Sequence, residues 1–498
     1  MNIAICYPPF DDAKGKALLS QNRQFQWFRS PLTSYTIYPV VPAYAATLLQ
    51  REKNRVSWLD YIAEEKKFED LVAWLHENPQ DLIAMETKTP TVKRMWRIIN
   101  TLKKQFPKTV FVIMGDHVTA LPEESLQHSR VDYVITGGDY DFSLVNLVQS
   151  IKGKEKLEPG IYWRSKEGIK SSGKFRLEHD LNSLPIIDRK LTKWWLYARG
   201  NGNFKYAPNT YTMVGRDCWW RKSSKGGLGC TFCSWTGLYP TWRTQKPEKL
   251  LDEIGELITL GVKEVFDDTG TFPIANWLHT FCDGMIKRGY SKKIVFGCNM
   301  RAGALKDEDY KLMGKANFRF ILYGLESANQ KTIDLLNKGT RVPDLQKDVA
   351  IATKYGMEPH ITCMFGYPWE TKEDAQKTVN FTKDLFRKGI INTLQATVVI
   401  PYPGTALFKE CEEKNWLKTK NWDRYDMSEP IMKTHMTNQE VMIIVQKCYG
   451  SFLSAHFFLR TIKSIRRIDD MKHLIFVAFK FFSKLLDFTP PVVKRTAL

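Results

Sequence analysis

Three cysteines lie close together near the middle of the chain, in the run C-W-W-R-K-S-S-K-G-G-L-G-C-T-F-C-S-W from Cys218 to Trp235. Cys230 and Cys233 form a C-x-x-C pair, and Cys218 lies upstream of them. A tight turn brings both sulfurs of such a pair to one side, so they can bind the same metal centre. Three thiolates leave one corner of a four-iron cluster, or of a tetrahedral ion, for another ligand.

A structural zinc site is the simplest alternative, and it normally needs four protein ligands at short spacings. The next cysteine, Cys282, is far along the chain, and the stretch contains no histidine. The sequence therefore favours an open site, in which the unique metal position holds a further ligand.

The stretch resembles the cluster loop of radical SAM enzymes, where three cysteines hold a [4Fe–4S] cluster and S-adenosylmethionine chelates the fourth iron. The usual pattern there is C-x3-C-x2-C with an aromatic residue before the last cysteine, and Phe232, Cys230 and Cys233 match it. The first spacing differs, because it is C-x11-C. Glycines in the insertion make a looped-out excursion sterically easy. The resemblance implies that Cys218, Cys230 and Cys233 are the metal ligands.

The first part of the chain, residues 1–151, alternates short apolar segments with helical ones. This alternation predicts a Rossmann-like domain with a parallel sheet covered on both faces. The predicted strands are Ile3–Cys6, Val56–Leu59, Leu82–Met85, Val110–Met114 and Tyr133–Ile135. Ligands of such sheets bind at the carboxyl ends of the strands. The loops expected there include Gly115-Asp116-His117 and Gly137-Gly138.

These loops resemble the cobalamin-binding domain that precedes the barrel in one class of radical SAM enzymes. The similar stretches are the opening Y-P-P-F, a later V-P-A-Y-A-A-T-L-L, G-D-H-V-T-A-L-P-E-E at Gly115–Glu124 and V-D-Y-V-I-T-G-G at Val131–Gly138. Domains that use a histidine on cobalt carry D-x-H-x-x-G, which is absent because Asp116 and His117 are adjacent. The resemblance implies cobalamin without a histidine ligand; the alternative is a degenerate Rossmann-like domain with no cofactor.

Residues 152–208 are expected to connect two domains and to contain a hairpin around Ile161–Ser172. Residues 209–410 alternate again, and six β-α units predict an open partial (β/α)6 barrel with its site at the carboxyl ends of the strands. The predicted strands are Tyr211–Val214, Glu264–Phe266, Ile294–Gly297, Arg319–Tyr323, His360–Met364 and Leu394–Val399.

Four stretches after successive strands resemble elements of the radical SAM family, in the same order. They are D-D-x-x-x-F from Asp267, G-x-E-S from Gly324, G-x-P-x-E-T from Gly366 and P-x-P-G-T from Pro401. S-adenosylmethionine carries an amino group, a carboxylate, a ribose diol and a sulfonium. The carboxylates of Asp267, Asp268 and Glu326 could accept from its amino group or ribose. Arg301 could hold its carboxylate, and Gly366 and Gly404 could let backbone approach the adenine. Each carboxylate also has a purely structural alternative, as a cap, an ion pair or a solvated group.

Composition places the chain among globular proteins, with 498 residues, 43% hydrophobic residues and a net charge of +19. The cysteines outside the loop are scattered in apolar contexts, which indicates a reducing compartment. The start is unlike a signal peptide and no apolar run reaches a bilayer's width, so a cytoplasmic location is predicted. The charge favours anionic partners, but no nucleic-acid-binding motif is present.

The last part, residues 411–498, is predicted to be helical. Residues 451–498 contain nine Lys and Arg against three Asp. Basic residues around an apolar run are typical of helices that rest on anionic membrane, so residues 451–488 are expected to lie on a membrane's inner face or against the protein.

The resemblance implies an enzyme that cleaves S-adenosylmethionine to a 5′-deoxyadenosyl radical, which takes hydrogen from an unactivated carbon of a small molecule or lipid. Methylcobalamin would supply a methyl group, and an electron donor such as flavodoxin or ferredoxin would reduce the cluster. One alternative keeps the radical step and gives cyclisation, ring contraction or C–C coupling without methyl transfer. Another is a non-catalytic iron–sulfur or zinc binding module, which would not need the motifs crowded at the strand ends.

Overall fold

The computed structural model describes residues 1–10, 14–19, 23–28, 36–198 and 203–450, together with Met471 and Ile475. The segment 451–488, expected to face a membrane or the protein, thus lies almost wholly outside the described residues. Within the described part, no helix combines the length and the apolar character needed to cross a bilayer.

Strands and helices alternate through most of the described chain. The strands are β1 Asn2–Tyr7, β2 Lys16–Leu19, β3 Phe25–Phe28, β4 Arg55–Asp60, β5 Leu82–Glu86, β6 Val110–Met114, β7 Tyr133–Ile135, β8 Ile161–Ser165, β9 Gly168–Ser171, β10 Asn209–Thr212, β11 Gly215–Arg216, β12 Arg243–Thr244, β13 Glu264–Asp267, β14 Val295–Met300, β15 Phe318–Glu326, β16 Glu358–Phe365 and β17 Thr393–Val398. The α-helices are α1 Val40–Arg51, α2 Phe68–Glu77, α3 Val92–Gln105, α4 Asp116–Ala120, α5 Pro122–His128, α6 Tyr140–Ile151, α7 Trp220–Ser223, α8 Trp235–Leu238, α9 Pro247–Thr259, α10 Asn276–Lys287, α11 Asp307–Lys315, α12 Gln330–Leu335, α13 Val342–Lys354, α14 Lys372–Lys388, α15 Ala406–Glu413 and α16 Asn438–Tyr449.

The N-terminal sheet has the strand order β4-β1-β5-β6-β7-β8-β9. Its first five strands are parallel, which confirms the Rossmann-like prediction. These strands read as continuous apolar runs because helices cover both faces of the sheet. The hairpin β8–β9, expected within the connector, pairs antiparallel with β7 and extends this sheet beyond residue 151. A second hairpin, β2–β3, was not predicted.

The second sheet has the order β10-β13-β14-β15-β16-β17, and all six strands are parallel. This is the predicted open partial barrel. Its last strand is closed off by α16, because the Tyr449 hydroxyl donates to the Ala396 carbonyl at 2.8 Å and accepts from the Ala396 amide at 3.1 Å. Strand β11 pairs antiparallel with β12 in a short two-stranded sheet, directly before the cysteine loop begins.

The region after the barrel is less helical than expected. Between α15 and α16 the described chain contains a 3₁₀ turn at Trp422–Arg424 and an isolated bridge between Leu417 and Met432. This stretch is rich in Asn, Asp and Ser, whose side chains favour turns over helix. It still packs inward, because the buried Trp422 indole donates to Glu124 of the N-terminal domain at 2.8 Å.

A fully buried ion pair joins the two domains behind the cysteine loop. The Arg216 guanidinium lies 2.6 Å from the Asp141 carboxylate, and the two side chains are 1% and 0% exposed. Arg216 also donates to the Gly138 carbonyl at 3.3 Å and to the Tyr239 hydroxyl at 3.4 Å. Because Arg216 lies two residues before Cys218, this pair fixes the start of the loop to α6.

We expect Asp141→Asn to lower the free energy of unfolding by about 3–5 kcal/mol, because it leaves the Arg216 charge buried without its counter-ion. Asp252→Asn is the matched control, since Asp252 pairs with Arg288 at the surface with side-chain exposures of 58% and 36%, and such pairs contribute about 1 kcal/mol or less. Urea unfolding of both variants measures the difference. Equal losses of unfolding free energy in the two variants would contradict the role of the Arg216–Asp141 pair in joining the two domains.

Candidate functional site

A cavity of about 240 Å³ opens at the carboxyl ends of the barrel strands. Its wall contains all three cysteines of the loop, Cys218, Cys230 and Cys233. Arg301, directly after β14, and Glu326, the last residue of β15, also line it. Asp268 lines the cavity as well, so the structure brings six of the predicted site residues to one cavity wall.

Two of the three cysteine thiols have raised pKa values because the protein shields them from water. Burial raises the pKa of the Cys233 thiol to about 12 and also raises that of Cys218. The Cys218 thiol donates to the Thr271 hydroxyl at 3.0 Å. Such thiols lose their protons only when a metal replaces them, so metal binding would release protons. Among the described residues no three His, Cys, Asp or Glu side chains are grouped as one metal ion requires; a cluster offers a separate iron to each cysteine.

The insertion between Cys218 and Cys230 is held by specific contacts. The Arg221 side chain pairs with Asp217 and donates to the carbonyls of Gly227 at 2.9 Å and Thr236 at 2.8 Å. On the barrel side, Asn337 donates to the Gly229 carbonyl at 2.8 Å. The loop is thus tied both to itself and to the segment that follows α12.

Opposite the cysteines, three charged side chains form a connected group. The Arg301 guanidinium donates to the Lys338 carbonyl, lies 3.8 Å from the Cys230 sulfur and stacks over the Trp220 ring at 4.5 Å. The Lys338 ammonium donates to Glu326 at 2.9 Å. Glu326 has a φ of +62°, a left-handed conformation that is uncommon for a residue with a side chain. Backbone strain of this kind clusters at functional sites.

Lys338 was not among the residues that the sequence singled out. It lies at the cavity wall with a residue exposure of 7%. Its pairing with Glu326 depends on how α12 folds back toward β15, and no local sequence pattern reports that. The sequence indicates only that Lys338 follows the G-x-E-S element along the chain.

The remaining barrel residues fall in different places. Asp267 does not line the cavity; it accepts from the Thr212 hydroxyl at 2.9 Å and the Val214 amide at 3.0 Å, and burial raises its pKa to about 6. Asp268 does line the cavity but is buried against Arg23, so it neither faces solvent nor carries an uncompensated charge.

Gly366 and Gly404 lie outside the cavity wall, each with a positive φ, of 91° and 84°. A Cβ on Gly404 would come within 2.9 Å of the Ala120 Cβ. Close packing against the N-terminal domain is therefore sufficient to require this glycine. Neither glycine lines the cavity that contains the cysteines, so their approach to adenine stays a prediction.

His117 is enclosed within the N-terminal domain. The side chain has no exposed surface, its Nδ1 lies 3.2 Å from the Thr89 hydroxyl and its Nε2 lies 3.0 Å from Glu124. Asp116 accepts from the His117 amide at 2.8 Å and from the Gln24 side chain. These bonds make the histidine a buried structural residue in this conformation.

The three glycines of the N-terminal domain that were expected to bind cofactor, Gly115, Gly137 and Gly138, pack against other protein atoms. A Cβ on Gly115 would stand 2.3 Å from the Thr87 carbonyl oxygen, and one on Gly138 would stand 1.8 Å from the Tyr239 ring. Gly137 is similarly covered by Phe175, at 2.6 Å. Contact between domains and loops accounts for each of them.

Between the two domains, the described residues enclose a small cavity. A cavity of about 30 Å³ lies there, lined among others by Arg23, Glu86 and Lys88. Arg23, two residues before β3, reaches across it to Asp268 and to the Tyr38 carbonyl. A corrinoid is many times larger than this volume, so the described residues as placed do not fit one.

The comparisons with known proteins agree with this geometry. The profile of the Radical SAM superfamily matches residues 223–382, a span that contains Cys230 and Cys233 but not Cys218. The chain is also similar to an uncharacterized methyltransferase of Pyrococcus horikoshii, with 25% identity over 422 residues, 83% of this chain and 87% of that one.

Two further similarities cover most of the chain. An anaerobic magnesium-protoporphyrin IX monomethyl ester cyclase of Cereibacter sphaeroides is 25% identical over 405 residues, 79% of this chain and 62% of the cyclase. The structure of the cobalamin-dependent S-adenosylmethionine radical enzyme OxsB, with aqua-cobalamin and S-adenosylmethionine bound, superposes with a TM-score of 0.68 and 13% identity, covering 98% of this chain and 71% of that one. At that identity the superposition shows a shared fold.

The G-x-P-x-E-T element makes the free energy of unfolding depend on pH. Burial raises the pKa of Glu370 to about 8, and its side chain accepts from the Gly366 amide at 2.8 Å. The unfolded value is about 4.3. Between those values the folded state binds more protons, so the free energy of unfolding falls as pH rises and levels off above about 8.

We expect Glu370→Gln to remove this decline, because glutamine keeps the acceptor oxygen and cannot ionise. The stability of the variant relative to the wild type should rise by up to about 1.4 kcal/mol per pH unit between pH 5 and 8. Glu373→Gln, an exposed change in the first turn of α14, should leave the wild-type slope intact. Urea unfolding of both variants and the wild type at several pH values between 5 and 8 measures this slope. The expectation is contradicted if the unfolding free energy of Glu370→Gln declines with pH as that of the wild type does.

Proposed function

We propose that this protein is a radical SAM enzyme that transfers a methyl group to an unactivated carbon of a small-molecule substrate, with cobalamin as its methyl carrier. The observation that carries the first part is the placement of three cysteines, Arg301 and Glu326 around one cavity at the barrel's strand ends. The methyl-transfer part rests on the methyltransferase similarity and on the cobalamin-containing neighbour.

The cavity residues fit a cluster and S-adenosylmethionine. When bound, these two groups supply a 5′-deoxyadenosyl radical able to abstract hydrogen. Cys218, Cys230 and Cys233 would hold the cluster with soft thiolate ligands. Arg301 is oriented by the Lys338 carbonyl and the Trp220 ring, so its fork-shaped guanidinium is ready for the carboxylate of S-adenosylmethionine.

The Glu326 carboxylate would accept from the amino group or ribose of the same molecule. Lys338 donates to its Oε1 at 2.9 Å, which fixes the position of the carboxylate. The Thr362 hydroxyl donates to the second oxygen at 3.3 Å. Aromatic side chains, including Trp220, Phe232 and Trp235, line the rest of the cavity and exclude water from the reacting centre.

Cobalamin binding is proposed from the similarity in fold, and it requires rearrangement. The hairpin β2–β3 places Arg23 and Gln24 in the space between the domains, where they bond to Asp268 and Asp116. Displacing these two side chains would open the carboxyl ends of the N-terminal strands.

A second candidate function retains the radical step without methyl transfer. The similarity to the magnesium-protoporphyrin IX monomethyl ester cyclase favours it, because a cyclase forms a ring and the alignment covers 79% of this chain. Reduction of the cluster by a flavodoxin or ferredoxin, and membrane contact through residues 451–488, belong to both versions of the proposal.

Replacing Cys218, Cys230 and Cys233 together by Ala should abolish iron binding and the cleavage of S-adenosylmethionine to 5′-deoxyadenosine, because no thiolate remains in the cavity. Cys282→Ala is the control, since Cys282 is fully buried in the apolar core away from this site. Iron and sulfide analysis after anaerobic reconstitution gives the answer. Full iron content in the triple variant, or zinc in place of iron in the wild type, would overturn the cluster proposal.

The protein should take up hydroxocobalamin, and its reduced cobalt form should show no nitrogen splitting from a protein ligand in electron paramagnetic resonance, because both ring nitrogens of His117 are engaged inside the domain. His117→Phe should therefore leave that spectrum unchanged. Nitrogen splitting that disappears in the variant would contradict this arrangement. If the protein takes up no corrinoid, methyl transfer fails and the second candidate gains support.

A further inference from the structure

The insertion in the cysteine loop presents an exposed surface next to the proposed cluster. Lys222, Lys225 and Leu228 are all exposed, and Leu228 is 55% exposed although it is a large apolar residue. Leu228 is two positions from Cys230, so their Cα atoms are at most about 7 Å apart. Protein surface of this kind therefore approaches the metal ligands closely.

The barrel contributes a second apolar residue to the same region. Leu335, at the end of α12, is 45% exposed. The segment after it is bonded to the loop, because the Leu336 carbonyl accepts from the Thr231 amide at 3.0 Å and Asn337 donates to the Gly229 carbonyl at 2.8 Å. We call Lys222, Lys225, Leu228 and Leu335 the loop surface.

All charged residues of the insertion between Cys218 and Cys230 are basic. Residues 219–229 contain Arg221, Lys222 and Lys225 and no Asp or Glu. Arg221 points inward to Asp217, whereas neither lysine lies within ion-pair distance of a carboxylate in the part of the chain that the structure describes. On the barrel side, Asp334 beside Leu335 is exposed, and its carboxylate accepts from Gln330.

The loop surface is also held in a fixed shape. Arg221 binds two loop carbonyls, the Ser224 hydroxyl accepts from the Gly229 amide at 2.8 Å, and Trp220 donates to the Asn337 carbonyl at 2.9 Å. A Cβ on Gly339 would stand 2.0 Å from the Trp220 ring, so the two segments are in close contact. A fixed surface with an apolar centre and basic rim suits a transient protein partner.

We propose that the loop surface is the docking site for a small acidic electron-transfer protein that reduces the cluster. This inference rests on the proposed function, because only a redox cluster needs such a partner. One electron leaves the reduced cofactor of the partner and enters the oxidised cluster; no bond forms or breaks and no proton moves. Encounters of this class bury little surface and depend on complementary charge, which matches two lysines around exposed leucines.

Oxidised flavodoxin is the probe, and its binding to the reconstituted full-length protein is measured by isothermal titration calorimetry at low and at physiological salt. Lys222→Glu with Lys225→Glu should weaken binding by roughly tenfold at low salt and remove most of the salt dependence. Lys292→Glu with Lys293→Glu is the matched control, since both lysines are exposed and precede β14 at the opposite end of the barrel. Leu228→Ser should weaken binding at both salt concentrations.

Two more readouts separate this proposal from the proposed function. Carbodiimide should cross-link Lys222 or Lys225 to carboxylates of flavodoxin, as mapped by mass spectrometry. With dithionite in place of flavodoxin, the double Lys→Glu variant should cleave S-adenosylmethionine at the wild-type rate, whereas the flavodoxin-driven rate falls in step with binding. Absence of flavodoxin binding by the wild type, or equal losses in the variant and its control, would overturn the docking site. Failure of cleavage with dithionite in the wild type would instead count against the proposed function.

Discussion

The site depends on a charge that has no access to water. Arg216 is almost completely buried, and Asp141 supplies its counter-charge from the other domain at 2.6 Å. Removing a buried guanidinium from water is expensive unless an opposite charge and further acceptors surround it. Two domains must therefore dock in one arrangement for Arg216 to be compensated. The cysteine loop begins at the next residues, so its geometry follows from that docking.

Charge compensation also shapes the cavity itself. Arg301 and Lys338 bring two positive charges to a wall that already contains Glu326, and Asp268 is neutralised by Arg23 from the N-terminal hairpin. The local balance is thus set by residues from both domains. An anionic carboxylate and a cationic sulfonium could both be accommodated there, which is the combination that S-adenosylmethionine presents.

Much of this fold could be predicted because parallel strands covered on both faces leave continuous apolar runs in the sequence. The six barrel strands and the five parallel N-terminal strands are present, and their ends shift by only a few residues. The cysteines, Arg301 and Glu326 follow strand ends, so their common location could be inferred from topology. Arg23 pairs with Asp268 across 245 positions, and no local pattern reports such a contact. Lys338 is likewise placed beside Glu326 by tertiary packing, which no local pattern reports. Asp267 is expected in the cavity because it ends a strand, but its side chain bonds to Thr212 and Val214 of the neighbouring segment.

The anchoring of the cysteine loop has a consequence for biosynthesis. Its first anchor, Asp141, leaves the ribosome before Cys218, whereas Asn337 and Lys338 follow Cys233 by more than a hundred residues. Domains tend to fold in the order in which they are made. The three thiols would therefore emerge beside a finished N-terminal domain but in front of an incomplete barrel, with one wall of the cavity still missing. During that interval the thiols would be more open to incoming metal than they are once the barrel is complete.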